Sequence, residues 1–168
     1  MKIYDATNIR NIALVSHGGS GKTSLLESIA FTTKKIDRVG KIVDGNTLSD
    51  FEPEEVKRQI SINLSLVPIE YEGTKLNFLD TPGYFDFVGE VRSALRVADS
   101  AILLVDAMAG IQAGTEKMVK ASEEFSLPTA VIVNKLDREN VNFEEVYSQI
   151  RDQFGNKYLA VSWPYFEN

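Results

Sequence analysis

A glycine-rich loop between an apolar run and an amphipathic segment is the feature that most constrains the fold of this chain. Residues 16–23 read SHGGSGKT. Residues 11–16 before it predict a short buried strand, and residues 22–33 after it carry apolar side chains at helical spacing. Except for Ser16 at the first position, the loop matches the phosphate-binding pattern G-x-x-x-x-G-K-[ST]. The alternative is a glycine turn before an ordinary helix. The position of the loop, directly between a predicted strand and a predicted helix, disfavours that alternative.

The residue types in this loop suit a bound phosphate chain. Its glycines let the backbone curl so that amide hydrogens point at phosphate oxygens. The Lys22 ammonium would then reach the β- and γ-phosphates, and the Thr23 hydroxyl would bind Mg²⁺. We therefore expect nucleotide contacts from the loop and the first residues of the helix, namely Ser16, His17, Gly18, Gly19, Ser20, Gly21, Lys22, Thr23 and Ser24.

The remaining periodicity predicts an α/β fold. Apolar runs or alternating patterns that predict strands are separated by stretches with helical spacing, which favours a three-layer mixed sheet. The short link Glu72-Gly73-Thr74 predicts one antiparallel hairpin. Residues 34–59 lack periodicity and predict a long irregular connection, either functional or disordered. The predicted strands are 11–16, 60–67, 75–79, 101–105, 129–133 and 157–162; Asn142 is expected to cap the last helix and Gly155 to close it.

Two further motifs follow predicted core strands. Asp80-Thr81-Pro82-Gly83 places an aspartate where phosphate-loop enzymes hold Mg²⁺, and the Gly83 amide is available to a γ-phosphate. Alone, this sequence could be a simple turn. Asn134-Lys135-Leu136-Asp137 follows the strand at 129–133, and a carboxylate at position 137 can accept two parallel hydrogen bonds that guanine offers and adenine does not. Because ligands of open α/β sheets bind at the carboxyl ends of strands, the three motifs together predict one nucleotide site.

Composition excludes several classes of function. The 168 residues suit one domain, and 18 basic against 24 acidic residues give a net charge of −6, which predicts no direct grip on nucleic acid. The absence of cysteine and the single histidine, His17, exclude thiolate and multi-histidine metal sites. The longest apolar run is far too short to span a membrane, and we expect a cytoplasmic monomer.

The chain resembles the start of the GTP-binding domain of elongation factor G and, more closely, of elongation factor G-like translational GTPases. The matching stretches are NIALVSHGGSGKT, DFEPEEVKRQISINLS, NFLDTPGYFDFVGEVRSALRVAD and VNKLDREN. The resemblance implies a Ras-like P-loop GTPase fold, GTP or GDP with Mg²⁺ as cofactors, and the ribosome as partner. It also implies that residues 34–60 form the first switch and that Ser61 joins Thr23 and Asp80 at Mg²⁺. The alternative for Ser61 is a polar residue on the open face of a strand.

Four positions depart from that family's pattern. Ser16 replaces a small glycine or alanine, and Gly19 replaces an aspartate linked to monovalent cations. Gly18 stands where elongation factor G has an isoleucine that flanks the attacking water together with Ile60. Tyr84 occupies the place of the histidine that positions that water, which makes it the candidate catalytic residue. A tyrosine can orient a water but is a poor proton acceptor at pH 7. For His17, loop packing is a better interpretation than catalysis.

The end of the chain does not match a complete Ras-like domain. Ser162 lies at a spacing that could mimic the Ser-Ala motif near guanine, but Trp163 is far bulkier than alanine. We therefore expect residues 1–168 to be an incomplete GTP-binding domain, truncated before its last helix, from a longer multidomain protein. The favoured function is a GTP-binding and GTP-hydrolysing switch. The alternatives are a nucleotide-sensing module with negligible hydrolysis and, more weakly, an ATP-using phosphate-loop protein.

Overall fold

A computed structural model describes residues 2–165 and shows one five-stranded sheet. The strand order is β2-β3-β1-β4-β5. Strands β1, β3, β4 and β5 run parallel, and β2 pairs antiparallel with β3 through the predicted hairpin. The strand bounds are β1 Ile9–Val15, β2 Ser65–Tyr71, β3 Thr74–Asp80, β4 Ser100–Asp106 and β5 Thr129–Asn134.

Helices cover both faces of the sheet, so the predicted three-layer α/β architecture is confirmed. Ala13 and Val15 of β1 face a core that includes residues of α3, α4 and α5, whereas Leu14 faces a second core built with α1. This alternation is what a strand between two helical layers requires. The helix bounds are α1 Lys22–Thr32, α2 Pro53–Arg58, α3 Val88–Val97, α4 Ala113–Glu124 and α5 Phe143–Phe154.

The caps of α5 are those expected from the sequence. The Asn142 side chain accepts hydrogen bonds from the amides of Glu144 and Glu145. At the other end, Gly155 is the C-cap residue and has φ +90°, a conformation that favours glycine. An Asx cap and a terminal glycine are among the strongest helix boundary signals in a sequence.

The predicted strand at 60–67 is wrong in its first half. Strand β2 begins only at Ser65. The amides of Ile62 and Asn63 donate to the Glu55 carboxylate, and that of Leu64 donates to Glu90. Side-chain carboxylates therefore take the backbone donors that a neighbouring strand would need, and the alternation of apolar residues cannot reveal this.

Two other expectations need correction. Residues 34–59 are not irregular throughout, because they contain α2 and a short 3₁₀ turn at Ile42–Asp44. Residues 157–162 form no strand. In that segment Leu159 is 76% and Val161 102% exposed, so its apolar side chains gain none of the burial that would favour a strand. A cavity of about 710 Å³ lined by this segment and β5 lies beside the sheet edge.

Within residues 2–165, no helix has both the length and the apolar character needed to cross a bilayer.

Candidate nucleotide-binding site

The phosphate loop lies at the carboxyl end of β1 and is shaped by two glycines with positive φ. Gly19 has φ +80° and Gly21, the N-cap of α1, has φ +100°; this is a region that favours glycine. The Asn134 side-chain amide donates to the Ser20 carbonyl at 2.9 Å. A Cβ on Gly21 would lie only 2.5 Å from the Asn134 nitrogen. Asn134 of the motif at the end of β5 thus packs against the glycine-rich loop after β1, as the strand topology predicts.

Lys22 is buried at the base of the loop. Its ammonium donates to the Ser16 hydroxyl at 2.8 Å, and that hydroxyl also contacts the Ser20 hydroxyl. Burial lowers the pKa of Lys22 to about 8, although the carboxylates of Asp80 and Asp50 act in the opposite direction. The protein thus holds a costly buried cation, and an anionic phosphate chain would compensate that charge.

The Asp80 carboxylate, at the end of β3, collects two hydroxyl donors. Oδ2 of Asp80 accepts from Thr23 at 2.8 Å and from Ser49 at 2.7 Å. The Thr23 hydroxyl also lies 3.4 Å from the Ser61 hydroxyl. All three predicted metal ligands are therefore together, and Ser61 lies in the segment before β2. Its alternative placement on the face of a strand is wrong.

Two buried carboxylate oxygens beside these hydroxyls have no hydrogen-bond partner among residues 2–165. They are Oδ1 of Asp80 and Oδ2 of Asp50. Burial raises the pKa of Asp50 to about 6, with the nearby Asp80 charge adding to the shift and the Ser61 hydroxyl opposing it. Unpaired buried oxygens together with hydroxyls are the hard oxygen donors that Mg²⁺ prefers. No group of three or more carboxylates, histidines or cysteines with metal-binding geometry occurs in the part of the chain that the structure describes. The donor set nevertheless fits Mg²⁺, because this ion commonly uses one or two carboxylates together with substrate phosphates.

Two buried glutamates fold the first-switch segment onto the site. Glu27 of α1 accepts from the amides of Gly40, at 2.8 Å, and Leu48. Glu55 of α2 accepts from Ile62 at 2.9 Å and Asn63 at 3.0 Å. Both glutamates are 1% exposed. A buried carboxylate is stable only with such partners, so these bonds fix the path of the segment that carries Asp50 and Ser61.

The phosphate loop touches the segment after β3 through the backbone; this segment, residues 81–87, is called the second switch below. A Cβ on Gly83 would lie 2.6 Å from both Cα and N of Gly18, so only glycine fits at position 83. The next residue, Tyr84, is 48% exposed and places its ring against Gly18. A cavity of about 220 Å³ results, lined by Gly18, Gly19, Gly21, Lys22, Thr23, Ser24, Ile42, Asp50, Gln59, Ile60, Ser61, Gly83, Tyr84 and Lys135.

The motif at residues 134–137, which the sequence predicts to recognise the base, is only partly assembled at the cavity. The Lys135 ammonium donates to the Gly19 carbonyl at 2.7 Å and forms an ion pair with Asp106 at 2.6 Å. Lys135 thereby connects the phosphate loop to the carboxyl end of β4. Asp137 lies in the turn after β5, and its side chain is exposed. It does not line the cavity and is free to face a ligand beside it.

The other predicted site residues contact the rest of the protein and do not line the cavity. The Thr81 hydroxyl donates to the Leu14 carbonyl at 2.6 Å and joins β3 to β1, and Pro82 is buried beside it. Nδ1 of His17 is buried and has no hydrogen-bond partner within the part of the chain that the structure describes, and the His17 Cβ packs against Gly114 of α4. Burial, together with the Lys22 charge, lowers the pKa of His17, so it is neutral at pH 7. Ser162 lines the cavity beside β5 and lies outside the phosphate cavity.

Sequence reasoning missed four polar residues that build the site: Glu27, Ser49, Asp50 and Glu55. Only Glu55 had a readable signal. It stands three residues after Glu52, with Pro53 between them, and the two make the reciprocal bonds of a capping box in α2. Periodicity gives no reason to choose Glu27 from helix α1, or Ser49 and Asp50 from the charge-rich segment that follows it.

Comparisons with known proteins identify the family to which the chain belongs. The family model described as the elongation factor Tu GTP binding domain matches residues 7–163. The chain belongs to this family.

Similar proteins carry names from translation. An "Elongation factor G-like protein" of Mycobacterium tuberculosis is 37% identical over 156 residues, covering 93% of this chain and 22% of that protein. The mitochondrial "Ribosome-releasing factor 2" of Candida dubliniensis is 36% identical over 162 residues, covering 96% of this chain and 20% of its own. A crystal structure of a Thermus thermophilus protein matches with TM-score 0.85 and 38% identity, over 89% of this chain and 23% of that one.

This member of the elongation factor Tu GTP-binding family spans about a fifth of the length of these relatives. The family match, the relatives and the similar crystal structure together confirm the sequence resemblance to elongation factor G-like GTPases and the expected α/β GTPase fold.

Proposed function

We propose that this chain is the GTP-binding and GTP-hydrolysing switch domain of an elongation factor G-like factor that acts on the ribosome. The observation that carries the proposal is the phosphate cavity itself. Lys22 and Thr23 from the loop, Ser61 from the first switch, and Gly83 and Tyr84 from the second switch all line it. A domain whose two switch segments both contact one phosphate site can change shape when the γ-phosphate leaves.

Within this proposal each polar group has a role toward the nucleotide. Lys22 binds the β- and γ-phosphates, and the Gly83 amide faces the γ-phosphate. Thr23, Ser61 and Asp80 would hold Mg²⁺, with Asp50 beside them. The ion supplies charge neutralisation on the phosphate oxygens. Asn134 and Lys135 hold the phosphate loop by hydrogen bonds to its carbonyls, on the side where the base would lie. Asp137 selects guanine.

We assign hydrolysis to a water oriented by the Tyr84 hydroxyl. The tyrosine is the residue of the second switch that both lines the phosphate cavity and carries a hydroxyl. Its phenol can hold a water by a hydrogen bond, and a correctly held nucleophile accounts for much of the catalysis of phosphoryl transfer. The rate is expected to depend on the ribosome.

The test is a GTPase assay on the full-length protein with and without ribosomes. Phosphate release that rises when ribosomes are added supports the proposal, and the Lys22→Ala variant gives the background. Binding of fluorescent GTP and GDP is measured in parallel. Tight binding without phosphate release, even with ribosomes, would support the alternative of a nucleotide-sensing module with negligible hydrolysis.

One observation favours that alternative. A tyrosine stands where the family has a histidine, and a tyrosine accepts a proton poorly at pH 7. The third candidate, an ATP-using phosphate-loop protein, is tested by competition. Unlabelled ATP should fail to displace fluorescent GTP at concentrations where unlabelled GTP displaces it fully.

The proposal extends to the surroundings of the protein. The ribosome would be contacted through the full-length protein, because this domain has an acidic net charge of −6 and gives no general grip on nucleic acid. We further propose that residues 1–168 form an incomplete GTP-binding domain. The protein is proposed to be a monomer located in the cytoplasm.

A further inference from the structure

The ring of Tyr84 lies against the backbone of Gly18. A Cβ built on Gly18 would lie 3.0 Å from Cε2, 3.1 Å from Cζ and 3.4 Å from Cδ2 of the tyrosine. These atoms belong to the side of the ring that leads to the hydroxyl. Two of the three distances are tighter than carbon atoms normally approach one another. The ring therefore occupies the space in which a side chain at position 18 would begin.

Backbone conformation does not explain why position 18 is a glycine. Gly19 and Gly21 of the same loop have positive φ, whereas Gly18 does not. Gly18 therefore does not depend on the left-handed region of backbone conformation in which glycine is favoured. The reason for glycine at this position is steric, and it comes from the second switch.

The second switch holds Tyr84 in this place through its neighbours. Gly83 approaches Gly18 so closely that a Cβ on it would lie 2.6 Å from the Gly18 nitrogen. On the other side, Phe85 packs under the Lys117 ammonium of α4, 3.9 Å from the ring centroid. The close approach of the Gly83 backbone, the contact of the Phe85 ring with Lys117 and the Gly18 surface thus define where the ring lies.

We propose that Gly18 is a positioning residue for Tyr84. By leaving out a side chain, Gly18 lets the tyrosine ring form a wall of the phosphate cavity and present its hydroxyl toward the γ-phosphate end. The two residues are complementary in size: a small residue at position 18 goes with a large ring at position 84. This inference rests on the proposed GTPase function and identifies the residue that fixes the geometry of its hydrolytic step.

The pairing predicts that side chains at position 18 act through Tyr84. Gly18→Ala should displace the ring by a few tenths of an ångström, because the ring edge can give way. Gly18→Val should displace it further. Misplacement of a positioning group by about 1 Å can cost roughly a hundredfold in rate. Gly89→Ala is a matched control, because nothing lies within 4 Å of the added Cβ and its φ is not in the left-handed region.

The experiment is a double-mutant cycle on the full-length protein with ribosomes. Single-turnover GTP hydrolysis, fluorescent GTP affinity and the free energy of unfolding are measured for wild type, Gly18→Val, Tyr84→Ala and the double variant. We expect Gly18→Val to slow hydrolysis about tenfold to a hundredfold and to change GTP affinity less than threefold. In the Tyr84→Ala background the same substitution should change neither the rate nor the stability.

The possible outcomes separate this inference from the proposed function. An equal loss of rate from Gly18→Val in both backgrounds would overturn the pairing, while the GTPase function stands. Coupling in stability with none in rate would overturn the positioning role, because packing alone produces that result. A wild-type protein that binds GTP and never hydrolyses it would contradict the hydrolytic part of the proposed function and the positioning role with it.

Discussion

The Lys22 ammonium donates a hydrogen bond of 2.8 Å to the Ser16 hydroxyl, at the one position where the loop departs from the phosphate-binding pattern. Lys22 is 6% exposed. Ser16 thus supplies a buried acceptor for a cation that would otherwise lack one in the absence of phosphate. Serine in place of glycine at position 16 is compatible with the loop because its hydroxyl points toward Lys22 and accepts the hydrogen bond from the ammonium.

Removal of Lys22 should abolish nucleotide binding and leave the fold intact. The ammonium provides a charge-assisted contact to phosphate and belongs to neither apolar core. In isothermal titration, Lys22→Ala should show no measurable GTP binding. Lys120→Ala is the control, because this lysine of α4 is exposed and lies outside the cavity. An unchanged GTP affinity in Lys22→Ala would refute the phosphate-loop assignment.

The sequence and the structure agree best where one local signal decides. The loop, the caps of α5 and the hairpin could be predicted because glycine, asparagine and a short turn each have a local physical meaning. The path of residues 60–64 could not, because it depends on side-chain carboxylates of Glu55 and Glu90 that bind backbone amides outside their own helices, which periodicity does not reveal. The contact of Tyr84 with Gly18 could not be predicted either. In the sequence each of these residues is a separate departure from a family pattern, and nothing indicates that the two touch.

Glu55 and Glu54 offer a matched pair for testing how the first switch is held. Glu55 is buried and accepts three amides, whereas Glu54 is exposed and forms a surface ion pair with Arg58. Glu55→Gln should lower the free energy of unfolding by about 2 kcal/mol, because charge-assisted bonds are lost. Glu54→Gln should change it by less than about 0.5 kcal/mol. Urea unfolding measures both, and equal effects would contradict the anchoring role of Glu55.

Asp50 should make the stability of the nucleotide-free protein depend on pH. Its pKa is about 6 in the folded state, above the ordinary value of 3.8, because of burial. Between those values the folded state binds more protons than the unfolded state, so the free energy of unfolding falls as pH rises. The cost at pH 7.5 is at most about 3 kcal/mol. In chelator, Asp50→Asn should therefore stabilise the protein at pH 7.5 and have little effect below pH 4.

The same substitution should have the opposite effect on ligand binding. If Asp50 stabilises Mg²⁺ at the phosphate site, Asp50→Asn should weaken magnesium-dependent GDP binding. Titration of fluorescent GDP with and without Mg²⁺ measures this. A variant with unchanged stability at pH 7.5 and unchanged magnesium dependence would show that the unpaired Asp50 oxygen has no part in the site.

Asp137→Asn should change base preference from guanine to xanthine. The carboxylate accepts from two guanine donors, and an amide instead offers one donor and one acceptor. Because Asp137 is exposed in the turn after β5, the substitution should leave stability within about 0.5 kcal/mol of wild type. Competition between GTP and XTP in the full-length protein gives the measurement. A variant that still prefers GTP would mean that Asp137 does not read the base.

Tyr84→Phe isolates the hydroxyl of the candidate catalytic residue. Phenylalanine keeps the ring against Gly18, so the wall of the cavity and the GTP affinity should be preserved. Loss of one positioned hydrogen bond in the transition state should slow hydrolysis about tenfold to a thousandfold, or about 1.4 to 4 kcal/mol. If Tyr84 serves only to pack, phenylalanine should be nearly silent.

Tyr84→His is the complementary change at the same position. It restores a group that can accept a proton near pH 7, so ribosome-stimulated turnover should rise if Lys22, Thr23 and Asp80 already complete the site. Imidazole is also smaller than phenol and leaves part of the Gly18 surface uncovered, so the gain should be larger when Gly18→Ala fills that space. Equal single-turnover rates for wild type, Tyr84→Phe and Tyr84→His would mean that residue 84 takes no part in hydrolysis.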